Sequence, residues 1–234
     1  MRKVKSLAVA ISVFAVTCLA GSHAEADDTH IAQRGHSIIS VDRLFGITGY
    51  MGSEKVASQS VTESGVNVSL VWNNSPTGGG GFVNPYMIPR AGFDYTIVNN
   101  VTVGGSLGVS RVSSSKSTGG VEVDLPSWTM VAVAPRAGYV MAVGRHALWF
   151  RGGFTYFSDT ARYPRVGSIS PKESWSGFSL NLEPTFVLVP LAHFAFTGTA
   201  VIDIPLAGAH SVQGQSRRAT LWNFGATFGM LAYF

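Results

Sequence analysis

The chain has 234 residues, with 17 Lys and Arg against 13 Asp and Glu and a formal net charge of +4. Only 13% of its residues are charged, while 46% are hydrophobic and 11% aromatic, and it contains 27 glycines. A water-soluble domain carries about 25% charge, so much of this surface is expected never to meet water, and a single cysteine excludes a disulfide framework.

Residues 1–24 read as a secretory signal. Arg2, Lys3 and Lys5 form a basic head, an uncharged apolar stretch runs from Leu7 to Ala20, and Ser22-His23-Ala24 is a small-residue cleavage site. Ala24-Glu25-Ala26 is a second legal site. Cys18 lies inside the apolar stretch, so the exported chain is expected to have no thiol. Cleavage removes three of the 17 basic residues and no acidic one, leaving 14 against 13. Such near-neutrality gives no reason to expect nucleic-acid binding.

Residues 25–37 are a polar leader, and from 38 to 234 apolar residues alternate with small or polar ones. Alternation is the period of a strand, with one face buried in something apolar. Strands are expected near 38–52, 86–98, 101–111, 127–143, 147–158, 174–189, 194–206 and 218–234. Short connections at Asn99-Asn100, Gly144-Arg145-His146 and Leu191-Ala192-His193 alternate with long ones at 53–85, 112–126, 159–173 and 207–217. The apolar patch Val66–Trp72 lies within the first long connection and is expected to form a hairpin arm beyond the membrane, with a true strand as the alternative. "IPRAGFDYTIV" at 88–98 resembles "APRAGYVMAV" at 134–143, and "EPTFVLVPL" at 183–191 is a weaker echo one hairpin further on. Their prolines, Pro89, Pro135 and Pro184, suggest a repeated bulge.

One parity of these strands is greasy throughout: Phe45, Ile47 and Met51 early, Phe150, Phe154 and Tyr156 midway, Trp222, Phe224 and Phe228 at the end. The other parity carries glycines and hydroxyls with Arg90, Asp94, Arg136, Arg151, Glu183 and Asp203. A soluble lipocalin-type barrel would place the charges outside and remains the rival fold. Charge inside and grease outside instead require lipid around the protein, and a sheet in lipid must close to pair its backbone. Thr185 to Ile202 is uncharged for 18 residues, but Pro190 and a turn at Leu191–His193 argue against a spanning helix. The fold class expected is all-β: an eight-stranded antiparallel transmembrane up-and-down barrel with short periplasmic turns and long extracellular loops.

This pattern resembles the small outer-membrane β-barrels of Gram-negative bacteria, the OmpA/OmpX-like superfamily. The resemblance rests on the signal, the strand pattern over 38–234, and a final strand "NFGATFGMLAYF" that ends on an aromatic. It implies that Phe228, Met230, Tyr233 and Phe234 are read by the barrel-assembly machinery, and that the surroundings are outer-membrane lipid and lipopolysaccharide. It brings no active site, cofactor or metal, and a monomer is expected.

A barrel this narrow is filled by its side chains, so the six inward charges are expected to form a plug rather than line a channel. Asp94 is roughly 13 Å along the strand from Arg90, so partners come from across the barrel, and extrapolation from loop 159–173 sets Arg151 opposite Glu183. A gated ion path is the alternative. A hydrolase at the outer rim would need a base, and His210 alone among the histidines reaches it, with Asp159 or Glu173 approaching across the rim. Ser211 follows it, but adjacent residues on an extended chain point apart. Arg162, Arg165, Lys172, Arg217 and Arg218 give the outer loops a basic lean suited to lipopolysaccharide phosphates.

Overall fold

The computed structural model describes residues 31–56, 59–70, 84–113, 115–118, 121–124, 126–164 and 171–234. The predicted signal and residues 25–30 of the leader lie outside them. Eight antiparallel strands form a closed ring: β1 (Ser37–Val56), β3 (Arg90–Val98), β4 (Val101–Val112), β7 (Ser127–Val143), β8 (His146–Arg162), β9 (Lys172–Leu191), β10 (Phe194–Val212) and β11 (Gln215–Tyr233). The ring closes where β11 pairs back onto β1, from Ile38 opposite Tyr233 to Glu54 opposite Ala219. Phe234 and Ser37 exchange both backbone hydrogen bonds at that seam. The terminal aromatic is thus the end of a paired strand.

Alternation along each strand sorts the side chains. Phe45, Ile47, Phe93, Phe150, Phe154, Tyr156, Phe186, Phe224 and Phe228 are exposed on the outer wall, whereas Trp149, Phe157, Arg136 and Glu183 are buried inside. An apolar outer belt on a closed sheet satisfies the backbone in hydrocarbon and is the architecture of an outer-membrane barrel. Residues 99–100, 144–145 and 192–193 make the tight turns at one end, the periplasmic one.

Several details depart from expectation. Residues 86–89 do not open the second strand; Pro85–Met87 form a 3-10 helix capped by the Asn84 side chain, and β3 starts at Arg90. β2 (Gln59–Ser69) is no detached arm. It pairs with Gly46–Val56 of β1, on the same edge whose lower part, Ser37–Asp42, pairs with β3. Val66 and Val68 are exposed beside Ile47, so this segment extends the wall into the apolar belt. Val71 and Trp72 lie outside the described residues.

Pro135 and Pro184 do not mark bulges, since the register on either side of each is continuous. Pairing simply lapses next to Pro135 on β8 and next to Pro184 on β10, where the imino nitrogen has no hydrogen to donate. At Gly153 a Cβ would strike the Pro135 carbonyl oxygen, so the close approach there requires glycine. Bulges occur elsewhere, between Val41 and Phe45 and between Pro205 and Ala207 among other places.

The connection expected at 207–217 is also tighter than a loop. Its two strands run on beyond the belt and join through Gln213 and Gly214, both at positive φ. A small hairpin, β5 (Ser115–Thr118) with β6 (Val121–Asp124), occupies the connection between β4 and β7.

Candidate functional site: the lumen and its outer mouth

The lumen is filled in three layers. At the periplasmic end Ile31, Ala32, Ile38, Val140, Trp149, Val187, Leu231 and Tyr233 pack together. Of the residues expected to be read by the assembly machinery, Tyr233 is therefore turned inward, whereas Phe228 and Phe234 stay exposed on the outer wall. Met230 is half-buried. Higher up, Tyr86, Ile88, Met130, Ala132, Phe157 and Leu221 form a second apolar layer, with Tyr50 and Trp175 against it. Tyr86 meets Phe157 edge-on at 4.9 Å between ring centres.

Between these layers lies a charged one. The sequence points to six members, and the structure adds Asp42 and Arg43, giving four cations and four anions. Arg136 grips Asp94 with two nitrogens, Nε at 3.0 Å among them, and reaches Asp42 at 2.6 Å. Arg151 sits directly opposite Glu183 in the β8–β9 register and bridges it, at 3.2 Å, to Asp42, also at 3.2 Å. Arg43 binds Glu183 at 2.8 Å and Asp203 at 3.4 Å. Asn181 and Asn223 donate to the two oxygens of Asp203 at 2.8 and 2.7 Å. Arg90 does not bond to Asp94; it donates to the Tyr86 carbonyl, which also accepts from Arg43.

Asp42 shares the inward parity of Ser40 and Thr48, and the bulge between Val41 and Phe45 adds Arg43 beside it. The bulge inserts two residues relative to β11, so consecutive Asp42 and Arg43 are both buried, with Arg43 at φ 58°. No periodic pattern in the sequence announces it. The segment Asn84–Pro89 was likewise missed, because a short apolar stretch with prolines looks like the start of a strand. Here it crosses the lumen, where Asn84 donates to Asn223 at 2.7 Å.

At the outer mouth His210 faces inward, because the bulge after Pro205 reverses the parity of β10. Its Nδ1 lies 2.9 Å from Glu54 and its Nε2 2.7 Å from Glu173, while Trp175 stacks on the ring at 5.1 Å. Burial opposes a charge on His210, but the two carboxylate hydrogen bonds outweigh it and raise the imidazole pKa. Both ring nitrogens are thus engaged, and Ser211 points to the other face; the pair has no nucleophile–base geometry. Asp159 does not reach His210 in any hydrogen bond of the structure. Burial and neighbouring Glu173 push its carboxyl up to about 6.

Of the basic residues expected in the outer loops, Arg217 faces the mouth and pairs with Glu54 at 3.2 Å. Arg162, Lys172 and Arg218 are exposed on strands rather than in loops. Arg165 lies outside the described residues.

No protein-family model and no curated protein matches the chain. Among solved structures it is similar to the outer membrane protein OprG from Pseudomonas aeruginosa, at 11% identity and TM-score 0.48, over 86% of this chain and 97% of that one. It is also similar to Neisserial surface protein A, at 8% identity and TM-score 0.41 over 86% and 100%. A third is the attachment invasion locus protein of Yersinia pestis, in complex with the heparin analogue sucrose octasulfate, at 14% identity and TM-score 0.36 over 84% and 99%.

Proposed function

We propose that this protein is a sealed, non-catalytic barrel of the outer membrane. It contributes to envelope structure and presents its extracellular strands and loops for surface interaction, and it does not pass solutes. The observation that carries this reading is the filled lumen, in which the Asn84–Pro89 segment lies over an eight-charge layer that is itself bounded below by apolar side chains. Buried charges must be paired to be tolerated, and here all but Arg90 grip an opposite charge.

Potassium efflux from proteoliposomes tests it. Neither the refolded wild-type chain nor Glu183→Ala is expected to speed efflux above that of empty vesicles. Sustained efflux through the wild type, altered in Glu183→Ala, would establish a narrow pore instead.

A further inference from the structure

The outer wall of β8, β9 and β11 carries the same ladder on each strand as it rises out of the belt. On β8, exposed Tyr156 is followed outward by Ser158, Thr160 and Arg162. On β9, exposed Phe178 is followed by Ser176, Ser174 and Lys172. On β11, exposed Trp222 is followed by Thr220 and Arg218. Register aligns the rungs of β8 and β9, with Ser158 facing Ser176, Thr160 facing Ser174 and Arg162 facing Lys172, while across Ala209 of β10 the cation Arg218 lies level with Ser176, two rungs along from Lys172.

The top rung is electrostatically unfavourable by itself. Like charges directly opposite on neighbouring strands repel, and Arg162 and Lys172 are such a pair. Neither they nor Arg218 forms an ion pair among the described residues. The nearby carboxylates are turned the other way, since Glu54 and Glu173 hold His210 inside the mouth. Residues 160–172 contain Arg162, Arg165 and Lys172 and no acidic residue. An anion on the outer wall would relieve this repulsion.

We infer that this wall is a docking surface for a phosphorylated glycolipid, the lipopolysaccharide of the outer leaflet. Its order of apolar side chain, hydroxyl and cation matches acyl chain, sugar and phosphate. The hydroxyl zone of two rungs spans roughly 7 Å on β8 and β9, which suits a sugar. A glycerophospholipid, whose phosphate adjoins its acyl region, leaves those hydroxyls without a complement. Arg162 and Lys172 take one phosphate and Arg218 another, with guanidinium forks suited to the acceptor. The surface rests on the reading of the chain as an outer-membrane barrel and not on a sealed lumen, so a conducting barrel would leave it intact.

The test is a titration of the refolded full chain with lipopolysaccharide, with dephosphorylated lipopolysaccharide, and with phosphatidylglycerol vesicles. Wild type should prefer intact lipopolysaccharide over both other probes. Affinity should fall roughly fivefold for each of Arg162→Gln, Lys172→Gln and Arg218→Gln. Equal binding of intact and dephosphorylated lipopolysaccharide by the wild type, or binding of phosphatidylglycerol at least as tight, would overturn the inference. A folded triple variant that binds like the wild type would overturn it as well. Should the triple variant not fold, the wild-type comparison of the three probes decides.

Discussion

Asp42 and Arg43, adjacent in the chain, both point into the lumen and hold opposite halves of its charge layer. Asp42 joins Arg136 to Arg151, and Arg43 joins Glu183 to Asp203. Removing Arg43 leaves two buried carboxylates short of a partner. Arg43→Ala is expected to cost about 3–5 kcal/mol, seen as a lower urea midpoint for loss of the folded, heat-modifiable form. Adding Glu183→Gln to Arg43→Ala should recover part of that loss, because one of the two anions left with a cation fewer is then neutral; a double variant no better than additive would contradict the pairing.

Tyr86 closes the upper apolar layer against Phe157. Tyr86→Ala empties a buried site and should destabilise by about 3–5 kcal/mol. It should also raise hydrogen exchange at 84–89 before the strands respond, measurable by mass spectrometry. Equal exchange along the chain would mean that this segment does not move apart from the wall.

Two glycines on the wall should behave oppositely. A side chain at Gly153 collides with the Pro135 backbone, whereas at Gly198 the nearest atom is a Phe228 ring carbon at 3.7 Å. Gly153→Ala is expected to lose about 1–3 kcal/mol of folding stability, and Gly198→Ala to fold like the wild type. Comparable unfolding midpoints for the two would contradict the close approach of β7 and β8.

His210 makes the mouth sensitive to pH. Its pKa is raised by Glu54 and Glu173, so its contribution is complete below the unfolded value of about 6.5. That contribution is lost as pH rises through the folded value. Trp175, stacked on the ring, reports the change. Its fluorescence should titrate above pH 6.5 together with loosening of the β10–β11 hairpin, and His210→Gln should remove the titration. An unchanged profile in that variant would assign the titration to another group.

The strands and their lipid-facing parity were legible because most of the wall runs in uninterrupted register. From Ala147 opposite Val187 to Arg162 opposite Lys172 no residue is inserted, so alternation alone separates Phe150 and Phe154 from Arg151. What alternation cannot carry is an inserted residue. The bulge before Phe45 hid Arg43, and the one after Pro205 turned His210 inward. The lumen segment at Asn84–Pro89 was hidden for another reason. Its burial comes from residues distant in sequence, such as Asn223 and Phe157, and no local pattern records them.

Cysteine labelling in proteoliposomes tests the inside-out, sealed barrel most directly, because Cys18 is the only natural cysteine and lies in the predicted signal. Phe150 is exposed on the outer wall and Thr155 is fully buried in the lumen. Phe150→Cys should react with a lipid-soluble maleimide and resist a water-soluble one, and Thr155→Cys should resist both. Labelling of Phe150→Cys from water would contradict the membrane placement, and labelling of Thr155→Cys from water would contradict the seal.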